Sequence, residues 1–206
     1  MSVNETVEKT DPVDTSVGGV QGHLLRRSVH LSMILIPWAY YWHGESIADE
    51  LSLSKEKVLS IVMFAIILAE SVRLKLGFTI FGQREYEAKQ VSALAWGGLA
   101  IGLTLFIAPG KEFGVPLIIS LALIDPLLGE LRRTKMPVTT INWICIIATL
   151  VIWLACWQWL GTTLWVGILL SPVIVASEYP RLRWIDDNAT MLLIPLSLIV
   201  LLSPWI

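Results

Sequence analysis

Seven apolar runs divide this chain, and they constrain its fold more than any other feature. The runs cover residues 28–42, 58–74, 91–108, 113–131, 141–159, 164–176 and 189–206. A helix that crosses the hydrocarbon core of a bilayer takes roughly 20 apolar residues, so most of these runs are long enough, and the sixth is short enough to be partly re-entrant. Backbone groups in a bilayer must be satisfied within the segment, which favours helices. The runs therefore predict an all-α, polytopic membrane helical bundle with about seven transmembrane helices.

The composition agrees with a membrane protein. Of the 206 residues, 55% are hydrophobic and 16% are charged, which is too apolar for an ordinary soluble domain. The net charge of -2 leaves no basic surplus, so no nucleic-acid partner is expected. Residues 1–22 are polar and acidic with few large apolar side chains, and they are predicted to form a disordered cytoplasmic tail. Residues 23–206 are predicted to form the transmembrane domain.

The basic residues sort by side if the chain changes side at each run. Only Lys55, Lys57 and Lys111 fall opposite the amino terminus. Eleven others share its side, namely Arg26, Arg27, Arg73, Lys75, Arg84, Lys89, Arg132, Arg133, Lys135, Arg181 and Arg183. Because lysine and arginine concentrate in cytoplasmic loops, this distribution predicts a cytoplasmic amino terminus. The unusual acids gather on the same side, so the active face is predicted to be cytoplasmic.

Asp125 lies inside the fourth apolar run and is followed directly by Pro126. A carboxylate within the membrane costs a few kcal/mol or more unless it is paired or hydrated, so such a residue is a candidate functional site. Proline removes a backbone donor, which predicts a kink that leaves backbone groups facing a cavity. The alternative is a structural acid paired with a neighbouring arginine.

The last polar segment, residues 177–190, contains a second group of acids. Its sequence Asp186-Asp187-Asn188-Ala189-Thr190 opens the final helix, where Asp187 or Asn188 is predicted to be the N-cap. One cap does not account for three such residues in a row. A face that carries both carboxylates and arginines can hold a divalent cation together with the phosphates that the cation neutralises.

Several elements, in order, resemble the membrane-bound lipid-alcohol kinases, a family that includes dolichol kinase, phytol kinase and CTP-dependent diacylglycerol kinase. The first are Arg26-Arg27-Ser28-Val29-His30, Glu70-Ser71-Val72-Arg73 and Arg84-Glu85-Tyr86-Glu87. The later ones are Asp125-Pro126 with Gly129, and Glu178 with Asp186-Asp187-Asn188-Ala189-Thr190. The resemblance spans about residues 26–195, nearly all of the predicted domain.

The resemblance implies transfer of a phosphoryl group from CTP, with ATP as the alternative donor, to the hydroxyl of a polyprenol, isoprenoid or other lipid alcohol. It implies Mg²⁺ as cofactor, and a nucleoside triphosphate, a lipid alcohol and membrane lipids as partners. The implied metal ligands are Asp125, Glu130 and Asp187. The implied catalytic residues are Asp125, Glu87 and His30. The implied phosphate-binding residues are Arg84, Arg132, Arg133, Lys135 and Asn188.

The segment after Asp125 departs from the family pattern. Where the family has glycines and a lysine-containing phosphate loop, this chain has Leu127-Leu128-Gly129-Glu130-Leu131-Arg132-Arg133-Thr134-Lys135. Arginine side chains can bind phosphate by charge instead of by backbone amides. Two alternatives stay open. The first is an enzyme similar to phosphatidate cytidylyltransferase, and the second is a catalytically silent membrane protein that binds a lipid.

Overall fold

The computed structural model describes residues 16–180, 182 and 184–206. Its α-helices are α1 (Gly19–Ser32), α2 (Leu35–Trp38), α3 (Gly44–Glu50), α4 (Lys55–Leu76), α5 (Ala93–Ile107), α6 (Lys111–Arg132), α7 (Val138–Leu160), α8 (Leu164–Ala176) and α9 (Asp187–Leu202). A π-helical turn, Ala39–His43, follows α2, and 3-10 turns lie at Glu85–Lys89 and Ser203–Trp205. The predicted all-α class is confirmed for the described part of the chain, where seven helices have 13 residues or more.

The predicted tail is described only from Ser16 onward, and residues 1–15 lie outside the described part. Val17 N donates to Gln83 O at 2.8 Å, and α1 begins at Gly19. Residues 16–22 therefore belong to the folded unit, which begins earlier than the predicted boundary at residue 23.

Side-chain caps and glycines set several helix ends. The hydroxyl oxygens of Ser54 and Ser92 accept hydrogen bonds from the first turns of α4 and α5. Gly77 and Gly161 end α4 and α7 with φ of 67° and 74°, a left-handed conformation in which glycine meets no steric penalty. The N-cap of α9 is Asp186, whose carboxylate accepts from Asn188 N at 3.1 Å. The cap is thus one residue earlier than predicted, which leaves Asp187 and Asn188 for other contacts.

Three helical segments are long and apolar enough to cross a membrane, namely α6, α7 and residues 187–205. Helices α5 and α8 are apolar but shorter. This finding supports a multi-pass membrane protein, and it corrects the predicted seven transmembrane helices to about three within the described residues. The first two predicted runs fail to qualify as membrane spans for different physical reasons. Residues 28–42 break into α1, α2 and the π-helical turn, and α4 has charged residues in its first and last turns.

Helix α6 is the centre of the bundle and packs against α1, α2, α5, α7, α8 and α9. Its side chains Leu117, Leu121 and Leu128 are completely buried. Helix α6 continues through Pro126 to Arg132, so the predicted kink at Pro126 does not end the helix. Because α6 contacts so many neighbours, a side chain near its carboxyl end can meet residues from several of them.

Aromatic and basic side chains occupy one end of the bundle, at the start of α6 and the end of α7. Trp42 and Trp159 stack with ring centroids 5.4 Å apart, and Lys111 Nζ lies 5.3 Å from the centre of the Trp42 ring. Tryptophan is common where a membrane meets water, because its ring is apolar and its N–H is polar. The other end, where α6 finishes and α9 begins, holds the charged cluster described next.

Candidate functional site

Three carboxylates converge where α6 ends and α9 begins. Asp125 comes from α6, Glu178 follows α8, and Asp187 is the first residue of α9, with one oxygen from each lying within 4.8 Å of the others. Like charges this close repel one another unless a proton or a cation lies between them. Carboxylate oxygens are the ligands that Mg²⁺ and Ca²⁺ prefer, so the donor set of this carboxylate cluster fits a hard divalent cation.

Basic groups flank the carboxylate cluster on two sides. On the α1 side, Arg27 Nη1 lies 3.6 Å and His30 Nε2 lies 3.5 Å from Asp125 Oδ2. On the opposite side, the Arg132 guanidinium donates two parallel hydrogen bonds to Glu178. Such paired bonds fix the orientation of a carboxylate as well as attracting it. Among the described residues, the three acids of the cluster face two arginines, so the acids outnumber the permanent positive charges.

A glycine in α6 makes the approach of Arg27 to the cluster possible. A Cβ at Gly129 would lie 2.2 Å from Arg27 Nη2, which no real contact allows. The glycine of the predicted Asp125-Pro126-x-x-Gly129 element therefore clears space for a side chain from α1.

Glu130 lies outside the carboxylate cluster, although the sequence pattern assigned it to the metal. Its oxygens lie 3.2 Å from His23 Nε2, 3.4 Å from Arg27 Nε and 3.1 Å from Arg133 Nη1. Its side chain is 48% exposed. Glu178 takes the third position instead, a residue that sequence reasoning noted in the final element but did not assign to the metal.

The predicted phosphate-binding residues divide into two groups. Arg84 and Arg132 line a cavity of about 380 Å³ that also exposes Glu178, Asp186 and Asp187. The others are not among the residues that line it. Arg133 pairs with Glu130, Lys135 is exposed on the turn after α6, and Asn188 faces a second cavity. Within the described part of the chain, the polar cavity therefore brings Arg84 and Arg132 together with the carboxylates of Glu178, Asp186 and Asp187.

Glu87, predicted as a catalytic residue, is 1% exposed and is held by several donors. Its Oε1 accepts from Arg26 Nη1 at 3.0 Å and from Arg84 N at 3.1 Å, and its Oε2 accepts from Ala93 N at 3.1 Å. These bonds join α1, the 3-10 turn and α5. In the structure Glu87 thus holds the Arg26 side chain and the backbone at Arg84 and Ala93.

Arg73 anchors the same segment from α4. Its guanidinium forms a double hydrogen bond with Glu70 and donates to the carbonyls of Phe78, Glu87 and Gln90 at 2.7 to 2.9 Å. The Glu70-x-x-Arg73 element therefore holds the polar loop between α4 and α5 in place.

We expect Arg73→Ala to destabilise the protein by about 3–5 kcal/mol, since removing one partner leaves the other buried charge without compensation. The measurement is the unfolding midpoint in detergent under increasing denaturant. Lys75→Ala, an exposed cation on the same helix, is the matched control. An Arg73→Ala midpoint equal to that of Lys75→Ala would show that the loop does not depend on Arg73.

Two carboxyl groups near the start of α9, Glu178 of the cluster and the neighbouring Asp186, have raised pKa values. Burial and the adjacent Asp187 raise the pKa of Asp186 to about 8. Burial also raises the pKa of Glu178, although the hydrogen bonds from Arg132 oppose that effect. Because the pKa of Asp186 is higher in the folded chain than in the unfolded chain, ionising it weakens folding as the pH rises towards 8.

A bound cation should reverse this pH dependence. Asp186 adjoins the cluster residue Asp187 and gains a negative charge as the pH approaches 8, so we expect the rise in Tm caused by Mg²⁺ to grow between about pH 6 and pH 9. Without Mg²⁺, the Tm should fall over the same interval. Asp186→Asn keeps an N-cap acceptor and should flatten the fall. Stabilisation by Mg²⁺ that stays constant with pH would contradict the assignment of the cation to these carboxylates.

Comparison with known proteins gives no relative for this chain. No protein-family model, no curated protein and no solved structure matches it. The chemistry of the carboxylate cluster and of the cavities beside it therefore carries the functional argument.

Proposed function

We propose that this protein is a membrane kinase that transfers the γ-phosphoryl group of a nucleoside triphosphate, CTP in the first instance, to the hydroxyl of a lipid alcohol. The observation that carries the proposal is the carboxylate cluster of Asp125, Glu178 and Asp187 beside a cavity lined by Arg84 and Arg132. Phosphoryl transfer depends on positioning and on neutralising charge more than on covalent chemistry. A site with cation ligands on one wall and arginines on another provides both.

The polar cavity suits the triphosphate in size and lining. Its volume of about 380 Å³ lies within the range of small-molecule sites. Arg84 and Arg132 supply planar, permanently charged donors that match phosphate oxygens. Trp96 lines the same cavity, and aromatic side chains of this kind stack on nucleobases.

The residues in and around the carboxylate cluster would have different roles in the reaction. Asp125, Glu178 and Asp187 would hold Mg²⁺, which neutralises charge on the phosphates when bound. Arg132 orients Glu178 and donates to the departing phosphates. In the transfer, the bond between the γ-phosphorus and the bridging oxygen breaks and a bond to the alcohol oxygen forms. The hydroxyl proton passes to the pair of Asp125 and His30, whose side chains lie 3.5 Å apart.

The same proposal places the active face in the cytoplasm. The end of the bundle that carries the cluster also carries Arg26, Arg27, Arg73, Arg84 and Arg132, and positive residues favour the cytoplasmic side. CTP and ATP are cytoplasmic solutes, so a cytoplasmic site has access to the donor. The lipid alcohol stays in the bilayer and presents its hydroxyl at this face.

The test is a phosphorylation assay on the full-length protein in detergent, with Mg²⁺, a panel of lipid alcohols, and CTP or ATP labelled at the γ-phosphate. We expect label to appear in a lipid phosphate. A parallel reaction with α-labelled CTP identifies a cytidylyltransferase, which transfers the α-phosphorus and releases pyrophosphate. No labelled lipid from either donor, together with undetectable CTP binding, would overturn the proposal and favour a silent lipid-binding protein.

A further inference from the structure

A second cavity lies on the other side of the first turn of α9, and its lining is apolar. It has a volume of about 170 Å³ and lies between α1, the loop at residues 80–83 and the start of α5. The large side chains Leu25, Val29, Phe81 and Leu94 line it, and each is between 37% and 49% exposed. An apolar lining of this kind can accommodate the hydrocarbon chain of a lipid.

Two buried polar atoms on residues that line this apolar cavity have no hydrogen-bond partner among the described residues. Asn188 is 3% exposed and its Nδ2 donates to Ala93 O at 3.3 Å, but its Oδ1 accepts no hydrogen bond. Gln83 is 5% exposed and its Oε1 accepts from Ile80 N, but its Nε2 donates to no acceptor. An unsatisfied buried donor or acceptor costs about 1–3 kcal/mol, so each such atom calls for an explanation.

The apolar cavity also adjoins the carboxylate cluster. Asn188 directly follows Asp187, and His30, which lines the cavity, lies 3.5 Å from Asp125. A group seated at Asn188 is therefore next to the proposed site of phosphoryl transfer. The occupant needs an apolar body and a polar end that can both donate and accept a hydrogen bond, and a hydroxyl does both.

We propose that this apolar cavity is the acceptor site, in which the hydroxyl of the bound lipid alcohol donates a hydrogen bond to Asn188 Oδ1 until its proton passes to the pair of Asp125 and His30 during transfer. This inference rests on the proposed kinase function and adds the position of its acceptor. The first carbons of the lipid lie among Leu25, Val29 and Leu94. The cavity is much smaller than a complete lipid, so the remaining chain extends past these side chains into the bilayer. The donor nucleotide and the acceptor alcohol thus approach the cluster from opposite sides of α9.

The experiment fills the cavity and removes its acceptor atom in separate variants. Leu94→Trp narrows the cavity from an exposed position, and Asn188→Ala removes Oδ1. We expect each to reduce kcat/KM for the lipid alcohol about tenfold or more, with binding of CTP and Mg²⁺ unchanged. Leu35→Trp is the matched control, since Leu35 is exposed and lines a different apolar cavity at the other end of the bundle.

A photolabelling arm does not depend on turnover. A long-chain alcohol with a diazirine near its hydroxyl should label α1 or residues 80–94, and the unlabelled alcohol should compete while the matching alkane should not. Labelling elsewhere, or a Leu94→Trp variant with unchanged KM in a protein that phosphorylates lipid, would overturn the acceptor site and leave the kinase function standing. Competed labelling at this cavity without any phosphoryl transfer would support the alcohol site and overturn the kinase function.

Discussion

Replacing Asp125 by asparagine is expected to lower phosphoryl transfer by about 1,000-fold, because a metal ion contributes several kcal/mol to stabilising the transition state. Asparagine keeps the size and one oxygen of the side chain but removes the charge that attracts the cation. Glu178→Gln and Asp187→Asn should act in the same direction. The three variants remove ligands that lie within 4.8 Å of one another, so their effects should not be additive.

The Asp125→Asn variant should remain folded. In the absence of a cation, removing one of three crowded carboxylates relieves repulsion. Arg27, which lies near Asp125, also has Glu130 within 3.4 Å, so it is not left alone. We therefore expect a Tm equal to or above that of the parent without Mg²⁺, and a much smaller rise on adding Mg²⁺.

The measurement pairs the labelled-phosphate assay with thermal unfolding in detergent. Glu50→Gln is the matched control, since Glu50 is exposed at the end of α3 and lies outside the cluster. It should retain both activity and the response to Mg²⁺. Full activity of Asp125→Asn would place the cation elsewhere and remove the main support for the kinase proposal.

Helix geometry explains why Glu130 was assigned to the metal and Glu178 was not. The family resemblance implied Asp125, Glu130 and Asp187 as the metal ligands. Five residues along an α-helix correspond to a rotation of about 140°, so the side chains of Asp125 and Glu130 point to different faces of α6. Glu178 follows α8, 53 positions later, and only the packing of α8 and α9 against α6 brings it to Asp125. That packing is not readable from one sequence.

The features that depend on residues close together in the sequence were predicted correctly. The alternation of apolar and polar segments predicted the helical class, and the acids before α9 predicted a capped helix start within one residue. The predicted number of transmembrane helices was wrong because apolar composition does not show where a helix is interrupted within an apolar run. In residues 28–42, α2 contains Pro37, and the helix changes to a π-helical turn at Ala39. The sequence also could not show which residues contact Asp125, because its partners in α1 lie about 95 positions earlier in the chain.

Arg132 carries the second large effect, because it both fixes Glu178 and lines the polar cavity. Its guanidinium donates two hydrogen bonds to Glu178 and lies 5.1 Å from the centre of the Tyr179 ring. A charge-assisted hydrogen bond is worth about 1.5–3 kcal/mol, so Arg132→Ala should raise the KM for CTP by roughly 10- to 100-fold. Arg132→Lys should recover only part of this loss, since an ammonium group cannot form the planar fork.

The two roles of Arg132 are separated by a double-mutant cycle with Glu178→Gln, measured on CTP binding and on Mg²⁺ binding. If Arg132 only orients Glu178, its loss should have no further effect on CTP binding once Glu178 is neutral. If it also contacts phosphate, CTP binding should weaken again in the double variant, which is the result we expect. Arg133→Ala should have the smaller effect, because Arg133 pairs with Glu130 and does not line the cavity. Equal losses for Arg132→Ala and Arg133→Ala would place the phosphates outside the polar cavity.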